Sequence, residues 1–566
     1  MRQRTILTTI LTVFACVFAM AVCTNAKTIY VDADAPGAND GSSWADAYKY
    51  LQDALMFATG GDEIRVAQGV YRPDEFVLSK RPNLGREETF HLKNGVTLKG
   101  GYAGLSEPDP NARNIELYET ILSGDRDGND IHVNDPADLL DEPTRNENSY
   151  SVVIGSETDE TSILDGFIIT AGNANGVGDW LSPRWNGGGM YNNQGSPTVT
   201  NCIFRDNSAY TVCDEEGGNG GGMFNLYSNP RLINCTFTDN SAQNGSGGGG
   251  MYNQYSNPTL TDCTFSRNSA SFSGGGMYNC DDSNPTLTNC TFRDNCTQKT
   301  SCGHRGDGGG MVNGHGNVRL TNCLFSGNYA RNGGGLVNGR GSIRLTNCAF
   351  RGNRAELQGG ALYNWGSSPT LTNCTVAGNS ATNGNALGCD HTWGGPSTLQ
   401  VINCILWNGG NEIFNGDSSN IDITYSDIKG GWPTGGNIDL DPCFASPGYW
   451  DPNRTTEDPN DDFWVDGDYH LKSQAGRWNP NEGRWTIDEV TSPCIDAGDP
   501  MAPIMREPFP NGGRINMGAY GGTAEASKSY FGKPVCETIV AGDINGDCAV
   551  DFKDFVLMAL HWLGGR

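Results

Sequence analysis

The sequence predicts an all-β chain wound as a parallel β-helix, and two observations carry that prediction. An Asn-Cys pair (once Asp-Cys) recurs eight times between Asn186 and Asn408, with its cysteines at Cys202, Cys235, Cys263, Cys290, Cys323, Cys348, Cys374 and Cys404. The spacings are 33, 28, 27, 33, 25, 26 and 30 residues. A period that elastic does not suit stacked helix pairs, but it suits coils of short strands whose corners swell into loops. Glycine supplies 78 of the 566 residues without a collagen triplet. With abundant Asn and Thr, it favours turns and strands over helices.

The coil Gly248–Ala270 shows how each element arises. Leu260 and Cys263 are three residues apart, so strict alternation cannot bury both, whereas Cys263 and Phe265 share a face. A bend at Asp262 resolves the conflict, because Asp and Asn tolerate the left-handed conformation. The same bend is expected at Asn268, which closes an F-x-x-N unit, and at Asn253 after Met251-Tyr252. Each coil is thus expected to hold three short strands and three Asn-type corners. Stacked amides such as Asn201, Asn234, Asp262, Asn289, Asn322, Asn347, Asn373 and Asn403 would bond along the column. The repeat cysteines would form a reduced internal ladder, each with two equivalent neighbours about 4.8 Å away. Off that register, Cys296 with Cys302 and Cys536 with Cys548 are the disulfide candidates.

The flanks extend the solenoid. Residues 1–26 have a secretory pattern: Arg2 and Arg4, an apolar stretch Ile6–Val22, and Ala26 as the cleavage residue. Residues 27–180 are read as the N-terminal cap and first coils. After Ser43, the residues Trp44, Ala47, Tyr48, Leu51, Leu55 and Ala58 follow helical spacing, and a capping helix is expected there. Residues 181–410 hold the repeat coils, 411–530 the terminal coils and C-terminal cap, 531–542 a linker, and 543–566 a separate module. A net charge of −27 disfavours nucleic acid and anionic membranes. After the signal, no stretch suits a membrane-spanning helix.

Several motifs carry resemblances. Gly221-Gly222-Met223-Phe224 with Phe237-Thr-Asp-Asn240, and Gly334-Gly335-Leu336-Val337 with Phe350-Arg-Gly-Asn353, resemble the repeats of chlamydial polymorphic outer-membrane proteins. Seven of eight coils match; the last has Leu406-Trp407-Asn408 instead. The segments Glu63–Tyr71, Asn94–Gly101 and Ser162–Thr170, and later Ser492–Gly498 and Met517–Gly522, resemble bacterial proteins of the pectin-lyase-like superfamily. These resemblances imply a right-handed parallel β-helix, a fold that hosts lyases, hydrolases, adhesins and stalks alike.

In the last module Asp543, Asn545, Asp547, Asp551 and Asp554 fall at positions 1, 3, 5, 9 and 12 of a loop, with the carbonyl of Ala549 at position 7. Hard oxygen ligands at those spacings suit Ca²⁺. An amphipathic helix carrying Phe552, Phe555, Val556, Ala559, Trp562 and Leu563 is expected to follow. Asp at position 12 makes the loop resemble a dockerin, which implies a cohesin-like protein as partner. Two departures stand against it: a dockerin has two such loops, and Cys548 occupies the position where glycine is usual.

Deviations from the repeat consensus mark the remaining candidates. Two residues after the first-strand Asn of successive coils stand Gln194, Tyr227, Tyr255, Asp281, His315 and Arg340. Asp281, with Asp282, His315 and Arg340 form a candidate acid–base set on three successive coils, with Tyr227 and Tyr255 as sugar-stacking residues. The set loosely resembles the Asp-Asp, Gly-His-Gly and Arg segments of polygalacturonases, without their Asn-Thr-Asp segment. A row of exposed loop residues is the competing reading. The column Tyr191, Phe224, Tyr252, Tyr278 and Tyr363 is either a sugar-stacking face or core. The acidic stretches Asp458–Asp468 and Asp125–Asp141 are read as solvated loops rather than cation sites, and Arg305-Gly-Asp307 as a chance tripeptide. The expectation is therefore an exported, surface-associated protein that binds polysaccharide, with its degradation as an open extension and Ca²⁺ in its tail. The alternative is a non-catalytic adhesin or stalk.

Overall fold

A computed structural model describes residues 26–78, 84–212, 217–298, 306–390, 395–416, 418–433, 435–453, 463–532, 542, 544 and 550–564. The signal segment, apart from Ala26, lies outside them.

Parallel strands stack into four long sheets, and the chain is a right-handed parallel β-helix. In chain order around one coil, a 13-stranded sheet runs from Thr28–Val31 to Asn420–Thr424 and a 12-stranded sheet from Gly69–Tyr71 to Asp427–Ile428. A seven-stranded sheet runs from Asn173–Ala174 to Arg354–Gln358, and an 11-stranded sheet from Phe90–His91 to Ile413–Asn415. These are called the first to fourth sheets. Register is residue to residue: Leu232 pairs with Leu260 and then Leu287, while Phe237 pairs with Phe265 and then Phe292.

Identical residues therefore stack into columns. Phe204, Phe237, Phe265, Phe292, Phe325 and Phe350 lie ring on ring at 4.7–4.8 Å, nearly parallel. Burying each ring contributes about 1.5–3 kcal/mol, with more from each aromatic pair. The eight repeat cysteines are buried free thiols beside this column. Asn268 shows how an amide column stays satisfied. Its Nδ2 donates to Asn295 Oδ1 on the next coil and to the Phe237 carbonyl on the previous one, both at 2.9 Å. Its Oδ1 accepts from the backbone N–H and Nδ2 of Asn240 at 3.1 and 2.9 Å. An amide with four partners loses nothing by leaving water.

The corners differ from expectation in an instructive way. The Asn201 column does adopt positive φ: Asn201, Asn234, Asp262, Asn289, Asn322, Asn347, Asn373 and Asn403 lie between 52° and 56°. At the other two corners the left-handed residue is a neighbour of the Asn. Asp239 and Arg267, one before Asn240 and Asn268, take it in one column. Tyr227 and Tyr255, two after Asn225 and Asn253, take it in the other. The Asn side chains are then released to point inward as hydrogen-bonding columns. A coil also holds four strands rather than three. The short run after the F-x-x-N unit, such as Ser208–Tyr210 or Ser241–Gln243, pairs as the third sheet.

The capping helix is shorter than its sequence pattern, spanning Leu51–Phe57. Ser43 bonds Asp46 instead of starting a helix, and Tyr48 forms a β-bridge to Val31. Leu51, Ala54 and Leu55 enter the main core. At the other end Trp432 packs against that core. The described residues between 441 and 530 do more than close the end, because they fold back along the outer face of the second sheet. Phe444, Tyr469, Leu471 and Met517 pack there on Ala377 and Ile405, and Trp464 lies where a side chain at Gly352 or Gly378 would stand. Among the described residues no helix is long and apolar enough to cross a membrane.

Candidate functional site

The first-strand Asn of each coil sits at the end of a fourth-sheet strand, and the sheet fixes the register of the residues just beyond it. Asn253 pairs with Asn279, Asn279 with Asn313, and Asn313 with Asn338. The residues two further on therefore lie along one edge of the solenoid, with a rise of about 4.8 Å per coil. Tyr227 and Tyr255 are 53% and 43% exposed, and their rings stack at 4.8 Å and 4°. Large exposed aromatics held parallel by rigid backbone are unusual, since the same rings normally seek burial.

The carboxylates come next. Gln254 Nε2 donates to Asp281 Oδ2 at 2.8 Å, tying Asp281 to the coil of Tyr255. The Asp281 carboxylate raises the Tyr255 hydroxyl above its usual pKa, so the ring and the acid share one patch. This coil is also one residue longer: Asn279 to Leu287 spans eight steps, where Asn253 to Leu260 spans seven. The added residue makes Asp281 and Asp282 consecutive left-handed residues, with φ of 48° and 60°. Such backbone costs about 1–3 kcal/mol per residue and concentrates at working surfaces, although Asp bears it better than most.

His315 departs from the register. Its tight loop Gly314-His315-Gly316 closes on Asn313, whose Oδ1 accepts from Gly316 N at 3.1 Å and whose Nδ2 donates to the Gly316 carbonyl at 2.9 Å. His315 is exposed and lacks the left-handed backbone of Asp281 and Arg340. The amide column breaks here too, with Asn279 Nδ2 turning to the Val312 carbonyl at 3.4 Å. Arg340 rejoins the left-handed row, and its guanidinium lies 5.6 Å from the Trp365 ring. Asp281 and Arg340 are two coils, about 10 Å, apart. The row is an open edge of separate groups, with Asp281 bonded to Gln254 and Arg340 resting on Trp365.

Sequence reasoning missed Trp365 and Gln254. Both stand one residue after the Asn, in the column next to that of Tyr255 and Arg340; Gly339 pairs with Trp365 and Gln254 with Cys280. Comparing that column coil by coil would have found them.

The Tyr191, Phe224, Tyr252 and Tyr278 rings do stack, at 5.3–5.5 Å, on the outer side of the fourth sheet. They are covered, with Leu181 packed against them, while Tyr363 joins Val312 and Val337 in a similar cluster. They are therefore a second, external core. Near Tyr191 lies a hollow of about 300 Å³, where Arg86 rests 4.2 Å from the Tyr150 ring and Arg184 pairs with Glu87. The Arg86 guanidinium is already engaged by the Asn148 and Asn173 carbonyls and by Asn175.

Other candidates fall partly outside the described residues. Asp543, Asn545, Asp547, Ala549, Cys302, Cys536 and Cys548 all lie there. Of the calcium loop, Asp551 and Asp554 remain. Asp554 is buried and accepts from the Ile544 and Asp551 backbone N–H groups at 2.6 and 2.8 Å, which closes position 12 onto position 2. The helix Phe552–Gly564 comes next, with Phe552, Phe555, Val556 and Met558 exposed. Cys296 is a free thiol. Asp307 of the Arg-Gly-Asp tripeptide accepts from Asn332 at 2.9 Å, and burial raises its pKa to about 6.

Residues 146–306 and 184–350 match the family model described as "Right handed beta helix region". The repeat coils are a right-handed β-helix region. Residues 450–498 match a model described as "Disaggregatase related". No curated protein matches. Among solved structures, pectate lyase Pel9A is 14% identical over 87% of this chain and 96% of its own, with a TM-score of 0.41. A rhamnogalacturonan lyase is also 14% identical, over 78% and 96%, at 0.34. XylC in complex with xylose is 11% identical, over 74% and 87%, at 0.30.

Proposed function

We propose that this chain is an exported polysaccharide-binding β-helix whose binding edge is the row Tyr227, Tyr255, Asp281, Asp282, Arg340 and Trp365. The observation that carries the reading is the pair of exposed, parallel tyrosines beside a carboxylate. Flat rings offer a sugar's apolar face a stacking surface, and the carboxylates accept from its hydroxyls. The coil rise is close to the length of one pyranose unit, so successive coils meet successive sugars. A rigid ladder needs no ordering on binding.

Binding without cleavage is the stronger form of this reading. A glycosidase needs two carboxyls flanking the scissile bond with separated roles. Here Asp281 is bonded to Gln254, Asp282 follows it directly, and His315 sits outside the row. The tail belongs to the same proposal: Asp543, Asn545, Asp547, the Ala549 carbonyl, Asp551 and Asp554 would hold Ca²⁺. The exposed apolar face of the helix Phe552–Gly564 would meet a cohesin-like partner at the cell surface.

The test is retention of the full-length protein on immobilised polysaccharides, neutral and acidic, alongside reducing-sugar release. Retention on at least one glycan without sugar release is the expected result. Release that disappears in His315→Ala would replace the binder with an enzyme. No retention on any glycan would leave the stalk reading.

A further inference from the structure

An acidic cluster lies in the insert between strands Thr120–Ser123 and Val153–Ile154. Its composition suggests a solvated loop, but the insert is packed. Its 3₁₀ turn Pro136–Leu140 lies against the third sheet with Leu139 buried. Arg145, also buried, donates to the Gly172 and Asp206 carbonyls at 3.2 and 2.8 Å.

This packing gathers carboxylates. Oxygens of Asp125, Asp130 and Glu147 all lie within 4.8 Å of one another. Oxygens that close can all reach one Ca²⁺, whose bonds are about 2.4 Å. Asp125 is held by its own loop: Oδ1 accepts from Gly128 and Asn129 N–H at 2.7 and 3.1 Å, and Oδ2 from Asp130 N–H at 3.3 Å. Asp130 Oδ2 accepts from Arg145 Nη1 at 3.3 Å and Asn148 Nδ2 at 2.8 Å.

The remaining acceptors point to a ligand. Asp130 Oδ1, Glu147 Oε1 and Asn148 Oδ1 are buried oxygens without a hydrogen-bond donor. Asn148 is fully buried. Its amide orientation is fixed, because Nδ2 faces two acceptors, Asp130 Oδ2 and the Ala171 carbonyl at 2.9 Å. Its oxygen is therefore left unpaired, on a side chain whose nitrogen is bonded to the acidic cluster. Buried acceptors without donors are costly, and a cation would satisfy several at once. The charge balance agrees. Asp74, Glu75, Asp125, Asp127, Asp130 and Glu147 face Arg72, Arg86, Arg126 and Arg145, six carboxylates against four guanidiniums, which leaves two negative charges. Asp206 and His132 stand at the margin of the same group.

We propose that Asp125, Asp130 and Glu147, with the Asn148 amide oxygen beside them, bind one Ca²⁺ that clips the insert onto the coil where the third sheet begins. All the donors are hard oxygens, as Ca²⁺ requires. The chain at Asn173–Ala174, the first strand of that sheet, is held by the same segment through Asn173 Nδ2 to the Arg145 carbonyl at 2.8 Å. Occupancy would thus stabilise the point where coils change from three strands to four.

The experiment is calorimetric titration of Ca²⁺ into chelator-treated full-length protein, with thermal unfolding in parallel. Asp547→Ala silences the tail loop independently. The expected result is one Ca²⁺ fewer in Glu147→Gln than in wild type, whether or not the tail binds. Ca²⁺ should raise the Tm of wild type and Asp547→Ala but not of Glu147→Gln. Metal-free Glu147→Gln should be at least as stable as metal-free wild type, since a repelling charge is gone. Asp130→Asn, which keeps the contact with Arg145, should lose at least tenfold in affinity and serves if Glu147→Gln misfolds. Unchanged stoichiometry in both variants, or loss only in Asp547→Ala, would overturn the proposal.

Discussion

The interior columns and the exposed edge of the same coils obey opposite rules. Along the Phe204–Phe350 column six successive coils carry the same side chain, and along the Asn207–Asn379 column seven do. Each residue there is defined by its copy above and below. Along the edge two residues past Asn192, six coils carry Gln194, Tyr227, Tyr255, Asp281, His315 and Arg340, with no repeat except the tyrosine pair. Periodic positions answer to stacking. Aperiodic positions held on the same rigid frame are free to answer to something outside the molecule.

The sharpest way to break this contrast is to mutate the columns. Phe265→Ala removes a fully buried ring stacked on both sides and should cost about 3–5 kcal/mol, read from the urea midpoint. A loss below about 1 kcal/mol would mean the coils do not support one another.

The C-terminal flank provides the next effect, through pH. Glu507 accepts from the Asn516 and Gly522 N–H groups at 2.8 Å, and its other oxygen is buried without a partner. Burial raises its pKa to about 7 from an ordinary 4.5. The unfolded chain gives up this proton from about pH 4.5, while the folded chain keeps it to about pH 7. The folded state therefore binds more protons in that window. This group's contribution is fully present below pH 4.5, falls through the window by about 3 kcal/mol, and is flat above pH 7. Asp427, with its pKa near 6, adds the same sign. Glu507→Gln should flatten the slope between pH 5 and 7; an unchanged slope would remove Glu507 as its source.

A smaller loss is expected at Asn268→Ala. It strands the Asn240 backbone N–H, which is 0% exposed, and breaks the amide chain on both sides, for about 2 kcal/mol. Arg340→Ala at the edge should change stability by no more than about 0.5 kcal/mol, because its cation–π contact with Trp365 is made at the surface.

The same contrast explains what could be read from the sequence. The Asn-Cys corner was legible because the conflict between Leu260 and Cys263 has one local remedy, and the left-handed backbone stands at that residue. The other two corners looked alike, yet Arg267 and Tyr255 bend while Asn268 and Asn253 bond. A one-residue choice between turning and capping is made by the neighbouring coils. Ser269–Ala270 is too short to show any periodicity, so the third sheet was invisible. Trp44 and Ala47 carried helical spacing that was overridden by pairing with the first strand, which Tyr48 joins. At the edge, equal counting located Tyr227, Tyr255, Asp281 and Arg340 but assumed every corner was alike. The flanking glycines let His315 close a different turn.

The central claim is that the columns hold the fold while the edge holds the ligand. Its most direct test is the double variant Tyr227→Ala, Tyr255→Ala, with polysaccharide affinity and urea midpoint measured on the same preparation. Loss of binding by at least tenfold, with stability changed by less than about 1 kcal/mol, is the expected result. Unchanged affinity, or a loss that tracks unfolding, would contradict it.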